Sequence, residues 1–334
     1  DEYYSNESDV DPNEYLITKI LDKYNASIDY SQFDSNGDDF IDSIWLIYDE
    51  DVNFESDDSM YWAYTSWDYE WYDESCNDCI NPSKARDGVY PFYYAWAGTD
   101  FMYPDYNQAS YDTSLIEIDA HTYIHETGHF LGLSDYYSDQ MTYNPIGKVD
   151  MMDANICDHN SYSKMLLGWT KPYVVTGNAT IELDTFNKEN SLIVIPSDNE
   201  VIENNTFDPF SEYILIEVYS NDELNSYDSL NKYSNGIQGI NDKGVRIYHV
   251  DNRKFLIDTS NEFNLTCLEY NNEKIDSDHR LATPITNNRG IDFYNEYFNL
   301  DINVNLFDEI RMIEATNVDT FSSGGIQKSK SLFK

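Results

Sequence analysis

The sequence predicts an α+β protein in which one helix lies behind a small mixed sheet and a β-rich half follows. Three observations predict this class. Apolar residues recur at helical spacing over Tyr15–Tyr24, and a helix that carries a histidine motif is expected over about residues 117–131. The apolar run Ser43–Tyr48 predicts a buried strand. Beyond Pro172, short apolar or alternating runs separated by Asn, Asp and Gly are typical of strands.

Length and charge limit the classes of protein to consider. The 334 residues suffice for one large domain or two modest ones. Acidic residues outnumber basic ones 62 to 20, which gives a formal charge of -42. Such a chain repels phosphates and anionic lipid, so nucleic acid and membrane surfaces are excluded as partners. Its 30 Tyr and 6 Trp indicate a folded protein, and no apolar run is long enough to span a membrane.

The composition divides the chain into three parts. Residues 1–30 form a lead-in and a first helix, residues 31–170 a central core, and residues 171–334 a β-rich subdomain packed on that core. The Ser, Gly and Lys content after about residue 320 predicts a mobile tail. Because the sequence opens without Met or an apolar leader, we interpret it as a mature or trimmed form, and export is inferred from other features. We expect a monomer.

An acidic stretch near the start resembles a calcium-binding loop. The side chains of Asp34, Asn36, Asp38 and Asp42 place oxygen atoms at loop positions 1, 3, 5 and 9, where a calcium loop has its ligands. The backbone carbonyl of Phe40 occupies position 7. The stretch departs from an EF-hand, because Asp39 replaces the usual Gly and Trp45 replaces the bidentate Glu. A turn rich in Asx residues before a strand is the alternative interpretation.

Two further features leave alternatives open. The cysteines Cys76, Cys79, Cys157 and Cys267 allow three disulfide connectivities, or free thiols, and their spacing does not fit a second zinc site. Residues 50–80 are dense in Trp, Tyr and acidic side chains. They are expected to form an ordinary packed layer, with a polymer-binding or peptide-binding surface as the alternative.

The most informative pattern is a pair of histidines four residues apart. On a helix, His125 and His129 lie on one face, so both imidazoles can bind one metal ion. Between them, Glu126 can take a proton from metal-activated water and pass it to a leaving amine. Gly132 allows a left-handed turn that returns the chain, and Asp135 can then serve as the third ligand. The pattern predicts a zinc site of the extended zincin type.

The alternative to metal binding is that the two histidines are structural residues held by hydrogen bonds. His121 lies on the same helical stripe, but the ends of that stripe are too far apart for one ion. We therefore predict that His121 has a structural role or supports a metal ligand without binding the ion itself. Met152 is the candidate for the methionine turn that lies under the metal in such zincins, with Met151 second and core packing as the alternative.

The second half carries no further catalytic motif. Strands are predicted over Val174–Leu183, Ser191–Ile195, Tyr213–Tyr219 and Val245–Val250, and a helix is predicted to start near Asp158 and end at Gly168. Glu217 and His249 interrupt two of these strands. We interpret both as structural, although they could also extend a cleft.

Together these residues resemble the immune inhibitor A family of secreted bacterial metallopeptidases. The resemblance runs from about residue 30 to 255 and is strongest over 121–169. The segments that carry it are Asp34–Asp42, His125–Tyr137, Asp150–Asp153, Ser163–Trp169 and Gly244–Asp251.

The resemblance implies a metzincin-like catalytic domain. It implies that His125, His129 and Asp135 bind one catalytic zinc ion and that Glu126 is the general base and acid. A structural calcium ion at the acidic loop agrees with the family, although Asp39 departs from its pattern.

From the residues and the resemblance, the expected function is a secreted or cell-surface zinc endopeptidase that acts on protein or peptide substrates. A calcium-dependent extracellular binding protein on an inactive zincin scaffold is the first alternative. An intact Glu126 argues against it, because a scaffold has no physical need for a base there. Hydrolysis of a non-peptide bond at the same metal is the second alternative.

Overall fold

The structure is a computed structural model that describes most of the chain. Its described residues are 12–49, 62–68, 81–103, 118–138, 143–197, 211–233, 236–252, 255–258, 266–269, 279–282, 287, 308–316, 321 and 324–334. The chain forms two compact units: Asp1–Pro104 with Leu115–Gly132, and Asp105–Ser114 with Leu133–Lys334. The boundary expected near residue 170 falls inside the second unit.

A small mixed sheet forms the centre of the first unit. Its strands are β1 (Ile44–Tyr48), β2 (Tyr64–Trp67) and β3 (Tyr93–Gly98), in the order β1-β3-β2. Strand β1 is parallel to β3, whereas β2 is antiparallel to it and lies at the edge. The strand predicted over Ser43–Tyr48 is confirmed to within one residue.

One face of this sheet packs in a cluster with helix α1 (Pro12–Tyr24). Ile17 and Leu21 of α1 are buried together with Tyr94 and Trp96 of β3. Because side chains of a strand alternate between faces, Tyr93 and Ala95 point to the other side.

Helix α2 (His121–Phe130) packs against that other face. The ring centroid of Trp45 lies 5.5 Å from that of Tyr123 and 5.9 Å from that of Phe130, and Tyr93 also contacts Phe130. The Tyr123 hydroxyl donates a hydrogen bond of 2.9 Å to the carbonyl of Gly98 at the end of β3. The predicted helix is thus confirmed, with a start four residues later than expected.

A five-stranded sheet organises the second unit. Its strands are β4 (Lys171–Val174), β5 (Ser191–Pro196), β6 (Glu212–Tyr219), β7 (Gly244–Asp251) and β11 (Ile310–Ile313). They lie in the order β11-β7-β6-β5-β4, and only the pair of β4 and β5 is parallel within this sheet. The prediction of a strand over Val174–Leu183 was wrong, because the chain leaves the sheet after Val174 and residues 175–183 form no strand.

Short helices and a second small sheet complete this unit. The helices are α3 (Met151–Ala154), α4 (Ser161–Leu166), α5 (Phe186–Glu189) and α6 (Ser226–Leu230). The antiparallel strands β8 (Phe255–Asp258), β9 (Thr266–Glu269) and β10 (His279–Ala282) form a sheet of order β10-β8-β9. The whole is a mixed α and β fold, compatible with the predicted α+β class.

The C-terminal segment, expected to be mobile from about residue 320, packs on the second unit. Phe321 and Leu332 are buried in its core. Phe333 and Val245 exchange backbone hydrogen bonds of 2.8 and 3.0 Å. The backbone N–H of Gln327 donates a hydrogen bond to the carbonyl of Gly147. The described residues 324–334 are therefore ordered by contacts that composition does not reveal.

Several expectations fall on residues outside this description. They include the lead-in over residues 1–11, most of the aromatic stretch at 50–80, and the side chains of Cys76, Cys79 and Cys267. Cys157 is a buried free cysteine. Among the described helices, none has the length and apolar character needed to cross a membrane.

Candidate metal centre

Helix α2 places the two motif histidines side by side. The imidazole centroids of His125 and His129 are 4.9 Å apart, and the rings are nearly perpendicular at 89°. His125 is buried, whereas His129 is partly exposed. The spacing of four residues on an intact helix thus produces the shared face that the sequence predicts.

The helix ends in the left-handed turn that the glycine predicts. Gly132 has φ = +91°, a region that residues with a Cβ rarely adopt. Its amide donates a hydrogen bond of 2.9 Å to the carbonyl of His129, and the amide of Leu131 caps the carbonyl of Thr127. This turn redirects the chain towards Asp135, three residues later.

His125, His129 and Asp135 each offer one ligand atom, and these three atoms lie within 4.8 Å of one another. In the described part of the chain, this is the one group of three or more His, Cys, Asp or Glu side chains that could hold a metal ion. Two imidazole nitrogens and one carboxylate oxygen are ligands that zinc accepts, and three protein ligands leave a fourth position open. The donor set therefore fits a zinc ion.

Glu126 lies between the histidines in sequence and is buried, with 5% of its surface exposed. The Thr65 hydroxyl of strand β2 lies 2.9 Å from Oε2 of Glu126 and 3.1 Å from its backbone carbonyl. The carboxylate is therefore held inside the first unit by a contact between its sheet and its helix.

Asp135 has its own hydrogen-bond donor. The Tyr137 hydroxyl donates to Oδ2 of Asp135 over 3.0 Å. Groups that hydrogen-bond to a metal-binding carboxylate fix its orientation. Tyr137 therefore orients the third member of the candidate site.

The methionine pair lies in the short helix α3 after a capped turn. Met152 is fully buried, and its carbonyl accepts a hydrogen bond of 2.8 Å from the amide of Tyr136. The Asp150 carboxylate accepts from the amides of Met152 and Asn160, at 2.8 and 2.9 Å. These contacts bring the predicted methionine turn next to the segment of Asp135, but Met151 is also buried, so core packing remains an alternative role.

Two buried carboxyl groups beside this turn bind protons unusually tightly. Burial raises the pKa of Asp150 to about 7, against the hydrogen bonds from Met152 and Asn160. Burial also raises the pKa of Asp153, while Lys148 opposes that shift. The Asp153 carboxylate accepts from the amide of Lys148 over 2.8 Å.

The other polar residues that the sequence singles out lie in local structural contacts. Nδ1 of His121 is 2.6 Å from Oδ1 of Asp119, and His121 is not a member of the three-ligand group. Nε2 of His249 is 2.8 Å from Oε1 of Glu212 within the five-stranded sheet. Glu217 pairs with Arg246 over 3.4 Å in the same sheet. These contacts agree with the structural roles predicted for them.

The acidic loop uses its carboxylates to hold its own backbone. Asp34 accepts hydrogen bonds from the amides of residues 37, 38 and 39, and Asp42 accepts from the amide of Ser35. Asp39 has φ = +67°, so it takes the left-handed conformation usual for the Gly of a calcium loop. Asn36, Asp38 and Phe40 complete the same turn. Calcium at this loop stays a prediction.

Neither Thr65 nor Tyr137 belongs to the sequence motif that predicts the site. Thr65 lies 61 residues before Glu126 in a stretch that the sequence describes only as aromatic and acidic. Tyr137 lies just after the motif, and its spacing of two residues from Asp135 is the one signal that could have indicated it.

A comparison of the chain with models of known protein families finds no match. None of the curated proteins is significantly similar to it either. An inference about function therefore depends on the residues and the geometry described above.

Proposed function

We propose that this protein is a secreted zinc-dependent endopeptidase with a metzincin-like catalytic domain, as its resemblance to the immune inhibitor A family implies. The observation that carries the proposal is the convergence of His125, His129 and Asp135, whose ligand atoms lie within 4.8 Å of one another. A structural histidine pair would not require a carboxylate at that distance, nor a buried Glu126 between the two histidines.

Different residues of the chain would have different roles in peptide hydrolysis. Zinc, when bound by His125, His129 and Asp135, supplies a Lewis acid that polarises the scissile carbonyl and acidifies water. The Glu126 carboxylate accepts a proton from the attacking water and then gives it to the nitrogen of the leaving amine. Burial of Glu126 separates it from bulk solvent, which strengthens its electrostatic interactions with the reacting groups.

The remaining parts of the proposal follow from composition and resemblance. A net charge of -42 disfavours nucleic acid and anionic lipid, so a protein or peptide is the proposed substrate. Secretion and a structural calcium ion at Asp34–Asp42 belong to the same proposal, and both are supported by the resemblance. A monomeric state is proposed with them.

The deciding experiment combines metal analysis with a cleavage assay. Zinc content and hydrolysis of casein, an unstructured substrate, are measured for the wild type and for Glu126→Ala. We expect about one zinc ion per chain in both proteins and cleavage by the wild type alone, because Glu126 is not a ligand but provides the base.

The other outcomes separate the alternatives. Cleavage by Glu126→Ala would rule out the proposed mechanism. Zinc in both proteins without cleavage of casein or of a peptide library would favour a non-peptide substrate. Absence of zinc from both, with calcium bound, would favour the binding protein on an inactive scaffold.

A further inference from the structure

Thr65 lies on the edge strand of the small sheet, on the side that faces the motif helix. It pairs with Ala95 of β3, whose neighbours Tyr94 and Trp96 belong to the cluster around α1 on the opposite face. Because β-strand side chains alternate, Thr65 points towards α2. The small side chain of Ala95 beside it leaves the hydroxyl access to the helix.

The Thr65 hydroxyl is close to both parts of Glu126. Its Oγ1 lies 2.9 Å from Oε2 of the carboxylate and 3.1 Å from the backbone carbonyl. An ionised carboxylate can only accept hydrogen bonds, so the hydroxyl is the donor in the shorter contact. A donor to an ionised acceptor forms a stronger hydrogen bond than one between neutral groups.

The residue type suits a fixed contact. Threonine is branched at Cβ, which restricts χ1 and matches the preferences of a strand. The strand therefore holds the hydroxyl in place at little entropic cost. Glu126 by contrast has a long side chain that loses considerable rotamer freedom when it is fixed.

We propose that Thr65 is a positioning residue for the general base, a role that rests on the proposed peptidase function. By its hydrogen bond to Oε2, Thr65 holds the Glu126 carboxylate in one orientation next to the two histidines. General-base catalysis depends on such placement, because a proton can be transferred only within hydrogen-bonding distance. The sheet thereby acts on turnover through a residue whose hydroxyl contacts Glu126.

The test compares three variants of the full chain with the wild type. Thr65→Val replaces the hydroxyl by a methyl group of nearly the same shape, Thr65→Ser keeps the hydroxyl, and Ser66→Ala is the control on the opposite side of the same strand. We measure kcat and KM for a peptide substrate, with zinc content and melting temperature for each protein.

We expect kcat to fall about tenfold in Thr65→Val, while KM changes less than twofold, because the loss of one hydrogen bond misplaces the base without altering substrate binding. Thr65→Ser should restore most of kcat, and Ser66→Ala should behave as the wild type. Zinc content should be equal in all four proteins.

Three results would overturn the inference. The first is a wild-type kcat in Thr65→Val. The second is a loss of zinc or of folded structure in Thr65→Val that Thr65→Ser shares, since this would indicate a purely structural role. The third is a wild type that binds zinc and cleaves no peptide; it would refute the proposed function, and with it the role of Thr65, whereas the first two leave the peptidase proposal intact.

Discussion

The Tyr137 hydroxyl donates a hydrogen bond to Oδ2 of Asp135, two residues before it, over 3.0 Å. The Tyr137 ring in turn lies under the ammonium group of Lys148, 5.5 Å from the ring centroid. Lys148 also pairs with Asp153, with 3.4 Å between Nζ and Oδ1. The candidate metal ligand is thus the first member of a short series of contacts that ends on helix α3, which carries Met151 and Met152.

This contact predicts a role for Tyr137 in metal affinity. In Tyr137→Phe, we expect zinc to bind about 10-fold to 100-fold more weakly, because partners that orient a metal-binding carboxylate typically contribute that much. The affinity is measured by competition with a chelator of known zinc affinity.

The neighbouring tyrosine provides a matched control. The Tyr136 hydroxyl is 2.9 Å from Oγ of Ser163 and not from Asp135. Tyr136→Phe should therefore lower the unfolding free energy by about 1 kcal/mol and leave zinc affinity unchanged. Equal affinities in the two variants and the wild type would refute the orienting role of Tyr137.

Removal of the metal provides a second prediction. Treatment with 1,10-phenanthroline followed by dialysis should abolish casein cleavage, and one equivalent of Zn²⁺ should restore it. Calcium should not restore it, because calcium requires six to eight oxygen ligands and the proposed site offers two imidazoles. Asp135→Ala should lower the retained zinc, and a variant that retains stoichiometric zinc after dialysis would exclude Asp135 as a ligand.

The acidic loop provides a third prediction. If Ca²⁺ binds at Asp34–Asp42, millimolar Ca²⁺ should raise the melting temperature of the wild type by several degrees, because a ligand that binds only the folded state stabilises it. Asp34→Ala removes the carboxylate that accepts from three loop amides, so it should lower the melting temperature and abolish the calcium effect. Mg²⁺ serves as the control ion. An equal response of both proteins to Ca²⁺ would locate calcium elsewhere.

Local pattern was sufficient to predict the elements around the candidate site. The His125 and His129 spacing, the turn at Gly132 and the strand over residues 44–48 each depend on residues close in sequence, and each lies where periodicity or backbone preference predicts it. The approach of Asp135 to the histidines follows from the same short segment.

Contacts between distant segments could not be predicted in this way. Thr65 reaches Glu126 only because β2 lies at the edge of the sheet beside α2, a result of strand order that one sequence does not encode locally. Phe333 likewise pairs with Val245 across 88 residues of chain, so a segment of polar composition becomes ordered. At residues 175–183 a strand was predicted but does not form, because an alternating pattern forms a strand only where a neighbouring strand is available to pair with it.

A buried carboxyl group predicts how stability depends on pH. Burial raises the pKa of Glu309 to about 7, whereas the hydrogen bond from Tyr162 lowers it, and the ordinary value is near 4.5. Between pH 4.5 and 7 the folded state keeps this proton while the unfolded state loses it. The stability that Glu309 contributes is therefore fully present below pH 4.5 and is lost as pH rises through 7.

The measurement compares the wild type with Glu309→Gln, which stays uncharged. From pH 4.5 to 7, the unfolding free energy of the wild type should fall relative to that of the variant by about 3 kcal/mol, at about 1.4 kcal/mol per pH unit. Urea titrations at several pH values provide both curves, and the exposed residue Glu182, changed to Gln, is the control. Parallel curves for wild type and Glu309→Gln would contradict the raised pKa.

A buried ion pair connects the five-stranded sheet to the segments on either side of helix α3. Nη1 of Arg246 is 3.4 Å from Oε1 of Glu217, and both side chains are almost completely buried. Nη2 of Arg246 lies 3.4 Å from the carbonyl of Val149, just before α3, and Oε2 of Glu217 accepts from the amide of Ser161, at the start of α4. The Arg246 guanidinium also lies 3.9 Å from the centroid of the Tyr219 ring.

This arrangement predicts an asymmetric response to substitution. Arg246→Met leaves the Glu217 charge buried without its cation, so we expect the unfolding free energy to fall by about 3 to 5 kcal/mol. In the double variant Arg246→Met with Glu217→Gln, no uncompensated charge remains, and the amide oxygen of Gln can still accept from Ser161. The double variant should therefore regain part of the loss in urea unfolding, since the cost arises from the isolated charge and not from the absence of attraction. A double variant less stable than Arg246→Met would show instead that Glu217 stabilises the start of α4 mainly through its charge.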